Sequence, residues 1–287
     1  MIVLLTIRHR TMYKRFTTIA GKTIITRYTD SSRIRTEKGT RKPKTRPTPE
    51  AVAKVNAINQ DRALTAILNA NFRPGDLWLV LSHPAGTTIE EAMKKLENFK
   101  RNIRGASRRS EKPFRLVESI GIGKRTGRPH HHIVLNQEIT RDMITRYWPE
   151  EYVHIETLWS SGNYNRVAKY MLKNALQTKD ARGKHKKAWR TSRSVVRPET
   201  REEKMKRVPV FDIEDLKPRK GYGIDRDSIR LYEHAITGAY CIEYIEVSLE
   251  EEPKLKRYSK GKITSEERWY PESWDEQLSF DMVGGIV

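Results

Sequence analysis

The stretch "FRLVESIGIGKRTGRPHHHIVLN", Phe114 to Asn136, carries the reading of the fold. Its two apolar runs, "FRLVESIGIG" and "HHHIVLN", meet at the turn-rich "GIGKRTGRP", which predicts two paired strands. Upstream, "DLWLVLSH" (Asp76–His83) predicts a buried strand. After it, "TIEEAMKKLENFKRNIRG" (Thr88–Gly105) predicts a helix, opened by a Thr88/Glu91 capping box and closed by Gly105. Downstream, "TRDMITRYW" predicts a short helix ending before Pro149, "YVHIETLW" a further strand and "NYNRVAKYMLKNALQ" another helix. The order strand–helix–strand–strand–helix–strand is that of an α+β, ferredoxin-like (RRM-like) antiparallel sheet, with one helix added at its end.

Outside this core the text is more basic. Residues 1–47 hold many Lys and Arg and few acids, among Ser, Thr, Gly and Pro, and predict a flexible arm. Thr48-Pro49-Glu50 predicts a helix start, with a hydroxyl N-cap and proline at the first helical position. A core domain is therefore expected over 48–207, including that N-terminal helix and a second basic stretch from Thr178 to Arg207. Residues 208–287 form a C-terminal extension with strand-like pieces such as "AYCIEYIEVSL". No internal repeat is visible. The glycines of "GIGKRTGR" lack the spacing of a phosphate loop and precede a strand, which argues against an ATP-driven motor.

The 287 residues carry 56 Lys and Arg against 36 Asp and Glu, a net charge of +20. Such a surface fits a polyanionic partner, nucleic acid first, without naming any activity. One cysteine, Cys241, excludes an internal disulfide framework and suits a reducing compartment. The apolar start "MIVLLTI" has no basic region before it and stops after Ile7, and no run approaches the ~20 residues of a membrane span. The expectation is a cytoplasmic protein with no membrane partner.

Three adjacent histidines raise three possibilities: a surface accident, a structural metal site or the metal grip of an enzyme. In a strand, His130 and His132 share one face, about 7 Å apart, while His131, Ile133 and Leu135 take the other. Two imidazoles so placed share a divalent ion if a third ligand completes the set. Glu118, the only acid in "FRLVESIG", is the candidate from the adjoining strand. Such a mixed nitrogen and oxygen set suits Mn²⁺ or Mg²⁺ with exchangeable water, and also admits Zn²⁺ or Co²⁺.

The last helix of the core offers a second constellation. Val167, Met171, Leu172, Ala175 and Leu176 make an apolar stripe, with Arg166, Lys169, Tyr170 and Lys173 largely on the other side. Tyr170 and Lys173 stand three residues apart, so the ammonium can lie beside the phenol or beside a phosphate that the phenol attacks. A phenol is a weak nucleophile at neutral pH and needs a cation to favour the phenolate. The plainer reading is a tyrosine bordering a core.

Together these residues resemble the HUH endonuclease superfamily, marked by a His-hydrophobic-His strand and a following helix with Tyr-x-x-Lys. Here the pieces are "HHH" (130–132), with His131 at the usually hydrophobic position, and "YMLK" (170–173). "NANFRPGDLWLVLSH", "LVESIGIGKRTGRPHHHIVL" and "RVAKYMLK" resemble the three motifs of phage and plasmid rolling-circle initiators, including the filamentous-phage replication protein group. With a weaker likeness in "AWRTSRSVVRP", the resemblance spans roughly residues 68–200. It implies that His130, His132 and Glu118 hold the metal, that Tyr170 is the nucleophile, and that Lys173 orients phosphate or metal. The implied reaction is a transesterification on single-stranded origin DNA, leaving a 5′-phosphotyrosine link and a 3′-OH that primes synthesis, with host helicase and polymerase as further partners.

Two departures stand out. The first motif ends in Ser82-His83 rather than the usual Thr-Tyr, making His83 a stray side chain or an extra ligand. Relatives with Tyr-x-x-x-Tyr have a tyrosine where this chain has Arg166. Tyr164 lies about 240° from Tyr170 around a helix, which predicts a one-tyrosine enzyme. A relaxase or a single-tyrosine transposase shares the chemistry, although relaxases usually place the tyrosine first. The contrasting class is a non-catalytic nucleic-acid-binding protein with an incidental histidine run, in which Tyr28, Trp159 and Trp189 stack on bases or simply pack.

Overall fold

A computed structural model describes residues 13–30, 46–108, 114–123, 125–136, 139–177, 187–205 and 213–250. Their strands and helices are β1 (Tyr13–Ala20), β2 (Thr23–Asp30), α1 (Pro49–Asn71), β3 (Leu77–Ser82) and α2 (Ile89–Ser107). These are followed by β4 (Leu116–Ile122), β5 (Pro129–Leu135), α3 (Arg141–Thr145), β6 (Val153–Thr157) and α4 (Asn165–Gln177), then β7 (Trp189–Thr191), β8 (Thr200–Met205), β9 (Tyr222–Glu233) and β10 (Tyr240–Ser248).

The expected core is present. Its sheet has the order β6-β3-β5-β4-β7, with every neighbouring pair antiparallel. Without the short edge strand β7, this is the split βαβ order of a ferredoxin-like fold. The local signals hold as well. Thr88 and Glu91 close both halves of the capping box on α2, and the Thr48 side chain accepts from the Ala51 amide at the start of α1, with Pro49 next to the cap. The helix expected to stop at Gly105 continues to Ser107.

Period-two alternation gives the sheet two covered faces. Leu79, Leu81, Ile133 and Leu135 meet Leu96, Phe99 and Ile103 of α2 on one side. Trp78, Val117 and Val134 meet Val167, Met171, Leu172 and Ala175 of α4 on the other, where Leu64, Ile67 and Leu68 of α1 join them. Leu176, the last member of the expected stripe, is 37% exposed.

A second five-stranded antiparallel sheet, β8-β1-β2-β10-β9, corrects the reading of residues 1–47 as a flexible arm. Residues 13–30 form a β-hairpin that turns at Gly21, whose φ of +56° suits glycine. Thr17, Thr18, Ile19, Thr23, Ile24, Ile25 and Thr26 supply the β-branched content. The charge density that suggested disorder is neutralised across the ladder, where Arg15 pairs with Glu203 and Lys14 with Glu202. The rest of the expected arm, 1–12 and 31–45, lies outside the described residues, as do 178–186 and 206–212 of the second basic stretch and its flank and 251–287 of the C-terminal extension. One sheet thus draws strands from all three expected segments.

Helix α1 joins the sheets. Ala66 and Ala70 pack on Ala20, Ile25, Ile245 and Val247 of the second sheet, while the opposite stripe of α1 enters the core beside α4. Charge also crosses this junction: Arg62 and Arg230 both bind Glu243, and Arg230 also binds Asp61. Burial pushes the Glu243 carboxyl up, but the two guanidiniums outweigh it and hold the group below its usual range. No helix among the described residues is long and apolar enough to cross a membrane.

Candidate active site

The β5 histidines divide between the faces as strand geometry requires. His132 lies opposite Val80 of β3 and Ser119 of β4, and His130 lies opposite Ser82 and Gly121. Their rings stand 4.9 Å apart, centroid to centroid, and nearly perpendicular. Tyr170 of α4 closes over them, with its ring edge-on to His132 at 4.9 Å and to Trp78 at 5.6 Å. The structure therefore brings His130, His132 and Tyr170 onto one face of the sheet, with Lys173 exposed one turn further along α4.

Both ring nitrogens of His132 are buried without a hydrogen-bond partner, a costly state for an imidazole that has nothing to bind. Burial pushes His132 well below its ordinary pKa and lowers His130 as well, keeping both neutral, the form that ligates metal. Tyr170 is displaced the other way. Burial raises its pKa, the nearby Glu156 charge adds to this, and a hydrogen bond from Asn174 opposes it. The resting side chain is a phenol that requires a cation before it can act as an oxyanion.

Glu118 does not join this set, which corrects the expected three-ligand site. It pairs with Ile133 rather than with a histidine of the Tyr170 face, and so projects toward α2. There it is 3% exposed, with Lys100 Nζ 2.9 Å from both carboxylate oxygens. Burial raises its pKa despite the ammonium. Among the described residues, no group of three or more His, Cys, Asp or Glu is placed to hold a metal ion. The unpartnered nitrogens of His132 fit a metal-binding role, to which this face contributes the two imidazoles of His130 and His132.

His131 and His83 lie on the α2 side. His83 is 1% exposed, packed edge-on against His131 at 5.1 Å and Trp148 at 4.9 Å, so it is not an extra ligand beside His130 and His132. Burial, with Lys95 second, pushes its pKa down to about 4 from 6.5. The unfolded chain then takes up a proton below pH 6.5 that the native fold refuses until about pH 4. The contribution of His83 to stability is therefore full above pH 6.5 and falls as the pH drops toward 4, by at most about 1.4 kcal/mol per pH unit. The urea midpoint of the wild type is expected to fall between pH 7 and pH 5, and that of His83→Leu to fall less.

Several site residues went unmarked in the sequence. Trp78 shares the tyrosine face by alternation along β3, and Asn174 lies one turn beyond Tyr170. Gly121 clears room for His130, since a Cβ there would stand 2.7 Å from His130 Nε2 and 3.0 Å from Asn174 Cβ. His154 and Glu156 alternate onto the same face from β6. Tyr164 precedes α4 and is fully buried against Trp159, which leaves Tyr170 as the tyrosine of this helix region that faces the histidines. Of the candidate stacking residues, Trp159 and Trp189 pack on the core and Tyr28 stacks on Tyr244.

Comparison with protein families picks out this half of the molecule. Residues 77–175 match the family model described as a replication-associated protein of the ORF2 group. The match begins at the first residue of β3 and ends within the last turn of α4, so it holds the ferredoxin-like core, the histidine strand and Tyr170. It covers about a third of the chain and leaves out the second sheet and α1. Its similarity to replication-associated proteins supports a role in replication. No curated protein and no solved structure gives a match.

Proposed function

We propose that this chain is a rolling-circle replication initiator of the HUH type, which nicks and rejoins single-stranded origin DNA through Tyr170. The observation that carries the reading is the placement of the Tyr170 ring against His132 and of His132 beside His130, on one face of the family-matched core. Tyr170 Oη attacks the scissile phosphorus, the bond to the 3′ oxygen breaks, and a 5′-phosphotyrosine link and a free 3′-OH result. Exposed Lys173 faces the developing negative charge from one helical turn away. His130 and His132 would hold Mn²⁺ or Mg²⁺, which supplies Lewis-acid polarisation of the phosphate when bound. Trp78 packs edge-on against the Tyr170 ring, and the Asn174 side chain donates to the Tyr170 backbone carbonyl. The net charge of +20 favours DNA as the partner, with host helicase and polymerase acting downstream.

The deciding experiment incubates the protein with single-stranded DNA from its own replicon's origin, with Mn²⁺ or with chelator, and resolves the products on a denaturing gel. A covalent adduct that needs the metal is expected. Its absence would leave the second reading, a nucleic-acid-binding protein without chemistry, which draws on the departure of Glu118 to the other face.

Gly121 tests the histidine geometry. In Gly121→Ala the new methyl meets the His130 ring and the less yielding Asn174 Cβ, so the ring must turn away. Mn²⁺ affinity is expected to fall ~10-fold or more, as for loss of a group that orients a ligand. The fold should persist, as shown by an unchanged far-ultraviolet dichroism spectrum.

A further inference from the structure

The described strands of the core sheet carry two carboxylates, Glu118 and Glu156. Glu118 faces α2, which leaves Glu156 as the sheet carboxylate on the side of Tyr170. Its placement follows from register. On edge strand β6, His154 lies opposite Val80, the residue that His132 flanks from the other side, and Glu156 lies opposite Trp78, whose ring meets Tyr170 edge-on. His154 Nε2 is 2.7 Å from Glu156 Oε1, so the imidazole steadies the carboxylate. The two side chains are 50% and 38% exposed, open to a substrate and to solvent.

We propose that Glu156, held by His154, accepts the phenolic proton of Tyr170 during strand cleavage and, reprotonated by solvent, gives one back during rejoining. This role rests on the reading of Tyr170 as the nucleophile. The transfers balance as follows. Tyr170 Oη forms its bond to phosphorus as the phosphorus–3′-oxygen bond breaks, and the phenolic proton passes to Glu156. The departing 3′ oxygen takes a proton from water, and Glu156 later loses its own to solvent, which restores that water. Rejoining runs the same transfers backward. Strand β3 lies between Glu156 and His132, a strand-to-strand separation of about 10 Å, which favours the phenol over a metal that the histidines would hold as the partner of this carboxylate.

The test measures single-turnover cleavage of origin DNA by the full chain and by Glu156→Gln, each made with tyrosine or with difluorotyrosine at position 170, together with Mn²⁺ affinity by calorimetry. A lost proton acceptor predicts a rate about 100-fold lower in Glu156→Gln. The more acidic difluorotyrosine should recover at least ~10-fold of that loss, since its phenol needs less assistance. Mn²⁺ affinity should match the wild type. Wild-type cleavage by Glu156→Gln, slow cleavage without recovery, or weakened Mn²⁺ binding would each overturn the proton role. If the unaltered protein forms no adduct at all, the nucleophile reading itself falls, a result distinct from any defect confined to Glu156→Gln.

Discussion

Tyr170→Phe is expected to abolish the covalent DNA adduct while leaving the protein folded and able to bind DNA. The substitution removes one oxygen and keeps the ring that packs edge-on against His132 and Trp78. The Asn174 side-chain amide donates to the Tyr170 backbone carbonyl at 2.9 Å, a bond the substitution keeps, so the melting temperature moves by only a few degrees. Binding through phosphate contacts depends on the cationic surface and keeps its salt dependence. Cleavage has no substitute route nearby: Tyr164 is buried against Trp159, and the position one turn before Tyr170 holds Arg166, which pairs with Asp227 on β9. The check is a denaturing gel for the adduct beside a binding titration over a range of salt. An adduct that survives would move the chemistry to another side chain, and DNA binding lost with the hydroxyl would show that Tyr170 holds DNA instead of cutting it.

The same side chains show how far the sequence alone reaches. The split of His130 and His132 from His131 was legible because alternation is a property of one strand and needs no partner. The helices were legible for a similar reason, since the Thr88/Glu91 box and the Thr48-Pro49 cap act within a few residues. Glu118 was misplaced because its face depends on the register between β4 and β5, which the connecting turn sets and neither strand encodes. A register shifted by one residue would put Glu118 opposite a histidine; the observed one puts Ser119 there. The relevance of Glu156 is not legible in "VHIET", although the alternation is, because it depends on β6 lying beside β3.

The second sheet was hidden by distance along the chain. β1 carries the basic residues that suggested an arm, and the acids that balance them sit on β8, with Glu203 lying 188 residues from its partner Arg15. Composition read in a local window sees unpaired charge where the fold has a ladder. The β-branched residues of "TTIAGKTIIT" favour strand, and that preference outweighs the charge once a partner strand is present.

Glu243→Ala is expected to give the largest loss of stability among these variants, and it probes how the two sheets depend on each other. The Glu243 side chain is 2% exposed and binds Arg62 of α1 and Arg230 of β9. Removing it leaves two guanidiniums in a mostly buried junction with partial compensation: Arg62 keeps Asn59 and Tyr232, and Arg230 keeps Asp61. Breaking a buried ion pair from one side costs about 3–5 kcal/mol, whereas replacing the whole cluster with apolar residues is often neutral. The triple replacement Arg62→Met, Arg230→Met, Glu243→Leu should therefore recover much of the loss. The consequence should reach the tyrosine, because α1 also carries Asn69, which accepts from the Tyr164 amide and donates to Asn163 just ahead of α4. A loosened α1 weakens that anchorage, so adduct formation by Glu243→Ala should decline with temperature earlier than in the wild type. Urea unfolding followed by tryptophan fluorescence reports the core sheet, whose tryptophans include Trp78 and Trp148, while hydrogen exchange of β2 and β10 amides reports the second sheet. Coincident shifts in both would show one cooperative unit joined through α1. A shift confined to β2 and β10 would show that the family-matched core stands without the second sheet.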